Sequence, residues 1–289
     1  MAGLKSSRNR SLPLTKHKFR IKIQLIRVIK QTMEDALAKI RPHTSSSLLH
    51  QKAPATLLLA VESTLKEQNA EPTPTAYFAA LLTTLDGTLQ RKDTSMADGA
   101  VLPAELYLLA LVAPFVPKVV LRAHLNTLLS LTSPLFPLLI PHAPPIRSQL
   151  SLYHVIFQSL DRSKLESLNF HQNFMSILNL CLDPRPKVRK KAADLVKDTL
   201  CSPPSPFLLH PYAESTAQWI KSALVESNST PFSKGKSRQN TGGPENAIYV
   251  LALLGLILPY LPSPVCFGYI NEIQIDLSPS LSPRSLFNS

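Results

Sequence analysis

Apolar residues recur at three- and four-residue spacing along most of this chain, and prolines interrupt the pattern at intervals. Ile21, Leu25, Val28, Ile29, Met33, Ala36, Leu37 and Ile40 follow the period of an α-helix. Arg41-Pro42 ends that helix, because the residue before a proline avoids helical dihedrals. The same reasoning predicts helices over 54–65, 75–85, 103–115, 118–131, 146–160, 164–182, 187–200, 211–225 and 245–261. Residues 87–99 read as a polar connector, 133–145 as a proline-rich loop with a short helix at most, and 201–206 as a break. No stretch shows the alternation of a strand.

The helices group as antiparallel pairs that recur about every 40 residues, the mark of an all-α solenoid of the HEAT or armadillo kind. A compact all-α bundle is the alternative, disfavoured by so many short helices and proline breaks. Residues 21–262 form the predicted helical-repeat region. A basic, acid-free arm over 1–20 precedes it, and a Ser/Pro-rich tail over 263–289 follows. Within the repeat region, 226–244 is polar, rich in Gly, Ser and Asn, and reads as a flexible loop.

The run from Leu182 to Ala193 holds the most concentrated signal. Pro184 and Pro186 close one helix and open the next, since proline is tolerated only in the first helical turn. Asp183 precedes them, where a short carboxylate can cap free N–H groups. Val188, Ala192, Leu195, Val196, Thr199 and Leu200 form one face. Arg185, Lys187, Arg189, Lys190 and Lys191 crowd the helix start, the end the helix dipole already makes positive. These five residues are the candidate RNA-binding set. A solvated basic face on a repeat helix is the competing reading.

Composition sharpens this. The net charge is +12 with a pI near 9.7, which favours an anionic partner. Cys181, Cys201 and Cys266 are far apart and odd in number, so neither a zinc site nor a disulfide framework is expected, and a reducing compartment fits. The basic N-terminus lacks the apolar core of a signal peptide. The longest apolar run, 247–261, falls short of the ~20 residues that span a bilayer, so no membrane role is expected. The histidines have no partners at metal-ligand spacing. Lys234-Gly235-Lys236-Ser237 lacks the upstream glycine of a phosphate loop. No catalytic motif is visible, so the chain is expected to be no enzyme and to carry no cofactor or metal. Phe170, Phe174, Phe207, Tyr212 and Trp219 could stack on bases, but their helical spacing reads as core.

Several collinear motifs carry a family resemblance. They are Lys39-Ile40-Arg41-Pro42-His43-Thr44, Gln51-Lys52-Ala53-Pro54-Ala55, Ala60-Val61-Glu62-Ser63-Thr64-Leu65 and Thr73-Pro74-Thr75-Ala76-Tyr77-Phe78. The run from Asp183 to Ala192, then Pro203-Pro204, His210-Pro211 and Trp219, continues in the same order. Over about residues 35–260 the chain resembles the N-terminal part of the ribosomal RNA-processing protein twelve family, whose members are several-fold longer. Past Pro264 the resemblance is not followed.

The resemblance implies a HEAT-repeat factor of the nucleus and nucleolus that binds pre-ribosomal RNA and the proteins of pre-ribosomal particles. It also implies a part in rRNA processing and in export of the subunits, with nuclear transport factors as further partners and some shuttling to the cytoplasm. The alternative is a HEAT-type nuclear transport receptor or adaptor that binds proteins only. Such receptors are usually acidic, whereas this chain is basic.

Overall fold

The computed structural model describes residues 33–229 and 244–262. The predicted arm over 1–20, the loop residues 230–243 and the tail over 263–289 lie outside the described residues. Every regular element among the described residues is helical. The chain divides into two compact units, Met1–Pro117 and Lys118–Ser289.

In the first unit, α1 (33–38) leads through a 3-10 turn, Arg41–Ser45, into α2 (Leu49–Glu67), α3 (Pro74–Gln90) and α4 (Val101–Val112). Thr73 opens α3: its hydroxyl accepts from Ala76 N at 3.2 Å, and Pro74 follows at the position where a missing N–H costs nothing. Leu58, Val61 and Leu65 of α2, with Tyr77, Phe78, Leu81 and Leu85 of α3, bury the shared face. Two sequence expectations need correction. α2 starts at Leu49, so Pro54 lies inside the helix and not in its first turn. Burial of the Ala55-Leu58-Val61 stripe outweighs the one backbone bond proline cannot donate. Gly87, read as the start of a connector, is inside α3, which runs on to Gln90.

The second unit contains α5 (Lys118–Ala123), α6 (Leu125–Thr132), α7 (Phe136–Leu139), α8 (Ala143–Phe157), α9 (Arg162–Leu165), α10 (Leu168–Leu180), α11 (Pro186–Leu200), α12 (Ala213–Ser229) and α13 (Pro244–Ile257). The helix expected over 118–131 is two, parted at His124, whose ψ of 6° leaves the helical region. Leu121, Leu125 and Leu128 keep helical spacing across the break, so periodicity cannot reveal it. The helix expected over 164–182 is also two, because Ser167 turns extended and starts α10 afresh. α12 runs to Ser229, past the point where the polar loop was expected to begin.

The core of this unit follows a chain of aromatic rings. Phe136, Tyr153, Phe157, Phe174 and Tyr212 touch in sequence at centroid distances of 5.2, 6.2, 5.7 and 4.8 Å. Polar ties join successive helix pairs at sequence separations of 40, 44 and 47 residues: Trp219 to Asn179, Arg185 to Pro141, and Tyr212 to Leu165. These separations match the repeat length read from the pattern. At the end of α8, Lys118 Nζ donates to Gln158 O and Arg122 Nε donates to Ser159 O. Two cations thus sit on the negative end of a helix dipole.

Candidate nucleic-acid interface

The candidate site is the start of α11. Pro186 occupies its first turn and Arg185 stands at the N-cap in extended conformation. No acid lies in the first turn, and the nearest carboxylate, that of Asp183, stands just ahead of the N-cap. Asp183 was expected to cap this helix. Its carboxylate instead receives Arg185 N at 2.8 Å, the amide of the N-cap residue itself.

The same carboxylate holds the Arg185 guanidinium. Nε donates to Oδ1 at 2.8 Å and Nη2 to Oδ2 at 2.6 Å. The far side of the guanidinium donates to the carbonyls of Ile140 and Pro141, at 2.6 and 3.1 Å, just ahead of α8. The Asp183 hydrogen bonds raise the Arg185 pKa, so the charge is permanent. Arg189 turns back as well. Its Nη1 donates to the carbonyls of Asp183 and Pro184 at 2.7 and 3.3 Å, and its guanidinium lies 3.8 Å from the ring centre of Tyr249 on α13.

The two arginines therefore join α11 to the starts of α8 and α13. The three lysines do not share this role. Lys187 and Lys190 are exposed and Lys191 is half-buried. Among the described residues, no ion pair involves any of them. Lys187, Lys190 and Lys191 share one side of the first two turns at i, i+3 and i+4.

Arg185 meets α8 at its start, and His154 near the end of α8 meets Asp198 near the end of α11 at 3.2 Å. The two helices thus run parallel with their N-termini on one edge. α8 likewise has no acid in its first turn and exposes Arg147 in its second. Further along α11 the charges mix, with Asp194 and Asp198 among lysines. Burial lowers the pKa of His154 there, and His154 also contacts Gln158 at 2.9 Å. The basic excess of α11 is gathered at its start.

Of the five aromatic candidates, Phe170, Phe174 and Tyr212 are buried, as the spacing predicted. Trp219 is half-exposed and donates Nε1–H to Asn179 Oδ1 at 2.9 Å. Phe207 is half-exposed beneath the Arg162 guanidinium at 5.3 Å. Among the described residues, no three His, Cys, Asp or Glu side chains could hold a metal ion. Among them, no helix is long and apolar enough to cross a membrane. The Gly-Lys-Ser fragment at 235–237 lies outside the described residues.

Sequence reasoning missed two charged features. Arg41, read only as a helix end, donates Nε and Nη2 to Glu62 Oε1 at 2.9 and 2.7 Å and also pairs with Glu34. Tyr77 OH donates to the same Glu62 oxygen at 2.9 Å, and burial, chiefly, pushes its pKa up to about 12. Glu105 is fully buried on α4. Glu62 is 21 residues from Arg41 and 15 from Tyr77, beyond any local spacing rule.

Comparison with known proteins agrees with the period and the motifs. The family described as RRP12-like, N-terminal HEAT repeats matches residues 31–278. The match continues past Pro264, where the resemblance read from the motifs stopped. Ribosomal RNA-processing protein 12 of Saccharomyces cerevisiae is 31% identical over 180 residues, 60% of this chain and 15% of that protein. RRP12-like protein of Gallus gallus is 28% identical over 236 residues, 76% of this chain and 16% of that protein. Putative ribosomal RNA-processing protein 12 of Schizosaccharomyces pombe is 28% identical over 195 residues, 65% and 16% respectively. The match covers 15–16% of the length of these relatives. No solved structure matches significantly.

Proposed function

Since the chain belongs to the family of RRP12-like N-terminal HEAT repeats, we propose that it is a non-enzymatic helical-repeat scaffold of ribosome biogenesis. It binds pre-ribosomal RNA through the start of α11 and pre-ribosomal proteins through its other helix faces. It supports rRNA processing and the nuclear export of pre-ribosomal subunits, and it works in the nucleus and nucleolus.

One observation carries the RNA reading. Arg185 and Arg189 fix the start of α11, and Lys187, Lys190 and Lys191 project from it where the helix dipole adds to their charge. Lysines so placed offer point charges to phosphate oxygens and no fork for a base edge. The site accordingly contributes affinity without sequence readout, and base identity is left to partner proteins. The net charge of +12 draws a polyanion to it.

The test is gradient sedimentation of the tagged chain from nuclear extract, with each fraction probed for precursor rRNA. Co-migration with precursor particles that is lost after RNase supports the proposal. Co-migration that survives RNase favours the transport-adaptor reading, in which only proteins are bound. Migration as a free species counts against both.

A further inference from the structure

The seam between the parallel helices α8 and α11 changes sign along its length. Toward the C-terminal ends His154 of α8 meets Asp198 of α11 at 3.2 Å. Toward the N-terminal ends Arg185 reaches the carbonyl of Pro141, 44 residues earlier. The same separation joins His154 to Asp198, so one register holds along the seam. Seven residues make nearly two full helical turns and return to the same face. Arg147 stands seven residues before His154, and Lys191 stands seven before Asp198. The step that leaves the His154–Asp198 contact therefore arrives at Arg147 and Lys191, level with each other across the seam. A second observation puts Lys191 there. Burial chiefly, and the Lys191 charge with it, holds down the pKa of His154 against the opposing pull of Asp198 and Asp194.

Two like charges thus face each other where the foot of the seam pairs unlike ones. Arg147 is exposed and Lys191 is half-buried. Among the described residues, no ion pair involves either of them. Helix α8 contains no acid at all, and α11 has none before Asp194. Packed helices lie about 8–10 Å apart, axis to axis, so a guanidinium and an ammonium on facing stripes can reach one anion between them. Without that anion the two cations repel each other. With it the repulsion becomes a clamp.

We propose that Arg147 and Lys191 close on a single phosphate of an RNA strand, which crosses from α11 to α8 instead of staying on α11. This rests on the RNA reading given above for the start of α11. It adds a second helix to that surface and its one arginine fork. The Arg147 guanidinium offers two parallel N–H groups to the unesterified oxygens, and Lys191 adds a point charge from the facing helix. Lys187, one turn nearer the start of α11 on the same stripe as Lys191, continues the track. Arg185 and Arg189 are committed to backbone carbonyls, so Arg147 is the arginine of this seam left to grip a phosphate.

The experiment uses the full chain and a fluorescein-labelled oligouridine, with anisotropy read at several salt concentrations. Arg147→Gln and Lys191→Gln are each expected to weaken binding about three- to tenfold and to lower the salt slope by roughly 0.7. The double variant is expected to lose about as much as the worse single one, because one phosphate is at stake. Arg147→Lys should keep the slope yet still weaken binding about threefold, since the charge stays and the fork goes. Lys52→Gln, an exposed lysine of α2, should change affinity by less than about twofold. Losses that multiply in the double variant would overturn the clamp. Full affinity in Arg147→Gln would overturn it too. In that case the RNA reading survives if replacing Lys187, Lys190 and Lys191 weakens binding, and fails with it if that replacement is also silent. Polyglutamate binding as tightly as the RNA, with the same dependence on Arg147, would overturn the proposal in favour of an acidic protein. The melting temperature of Arg147→Gln should hold or rise as the repulsion is relieved. A fall of several degrees would make Arg147 a structural residue and would also overturn the clamp.

Discussion

Asp183 and Arg185 are locked together across a single intervening proline: both carboxylate oxygens accept from the guanidinium, at 2.8 and 2.6 Å. Asp183 is almost fully buried, with 5% of its side chain exposed, and Arg185 keeps 31%. The pair fixes the start of α11 and, through the carbonyls of Ile140 and Pro141, ties it to the approach to α8. The most conspicuous basic run of the chain thus contains both structural and presented charge.

Arg185→Ala should destabilise the second unit by about 1–3 kcal/mol, the range for lost hydrogen bonds to a buried charged group. Arg185→Lys should restore little, because an ammonium cannot form the two-pronged contact with Asp183 while reaching the carbonyls. Chemical denaturation checks this. Wild-type stability in the lysine variant would assign Arg185 to solvent or ligand instead.

Replacing Lys187, Lys190 and Lys191 together by Gln should leave the folding midpoint within experimental spread and weaken RNA binding. The slope of log affinity against log salt should fall by about 2 to 3, since each lost phosphate contact removes roughly 0.7–0.9. Fluorescence anisotropy at several salt concentrations measures it. An unchanged slope removes this helix from the RNA interface.

Glu105 has one oxygen bonded to Thr88, at 2.7 Å, and the other has no partner among the described residues. Burial raises its pKa to about 7, with Asp93 adding to the rise and Thr88 and Arg91 opposing it. The folded state therefore holds a proton that the unfolded chain releases near its ordinary value of 4.5. Stability is largest below that value and declines as pH rises to about 7, by about 3 kcal/mol at most. Glu105→Gln should flatten this dependence between pH 4.5 and 7, read from denaturation midpoints across that range. An identical pH profile in both proteins would refute the assignment.

Tyr153 OH donates to Asn173 Oδ1 at 3.1 Å and lies 3.0 and 3.1 Å from the hydroxyls of Thr132 and Ser133. Helices α6, α8 and α10 are thus tied together at this atom. Tyr153→Phe should cost about 1–3 kcal/mol, because polar groups buried around it lose a partner they cannot replace with water. A melting temperature equal to the wild type would show that a water substitutes.

The helical class, the repeat of about 40 residues and the basic start of α11 were all legible in the sequence. Each rests on local rules: a 3.6-residue period, proline as a boundary and charge at a helix end. The family motifs added the RRP12-like assignment, which the match over 31–278 bears out. Boundaries were less legible. His124 interrupts a stripe that stays in phase on both sides, and Pro54 lies within a helix that its buried face sustains.

Sequence alone thus determined that short apolar-faced helices form and where positive charge gathers, because both depend on neighbours within a turn or two. Only the tertiary structure decided which charges are spent on the fold. Arg185 and Lys187 are alike in composition and charge. Yet the carbonyls that engage Arg185 are 44 and 45 residues away, brought into reach when α8 and α11 pack in parallel. The burial of Glu105 and of Val250, Leu253 and Ile257 on one side of α13 has the same origin. Burial is a property of what packs across a helix, and no local spacing encodes it.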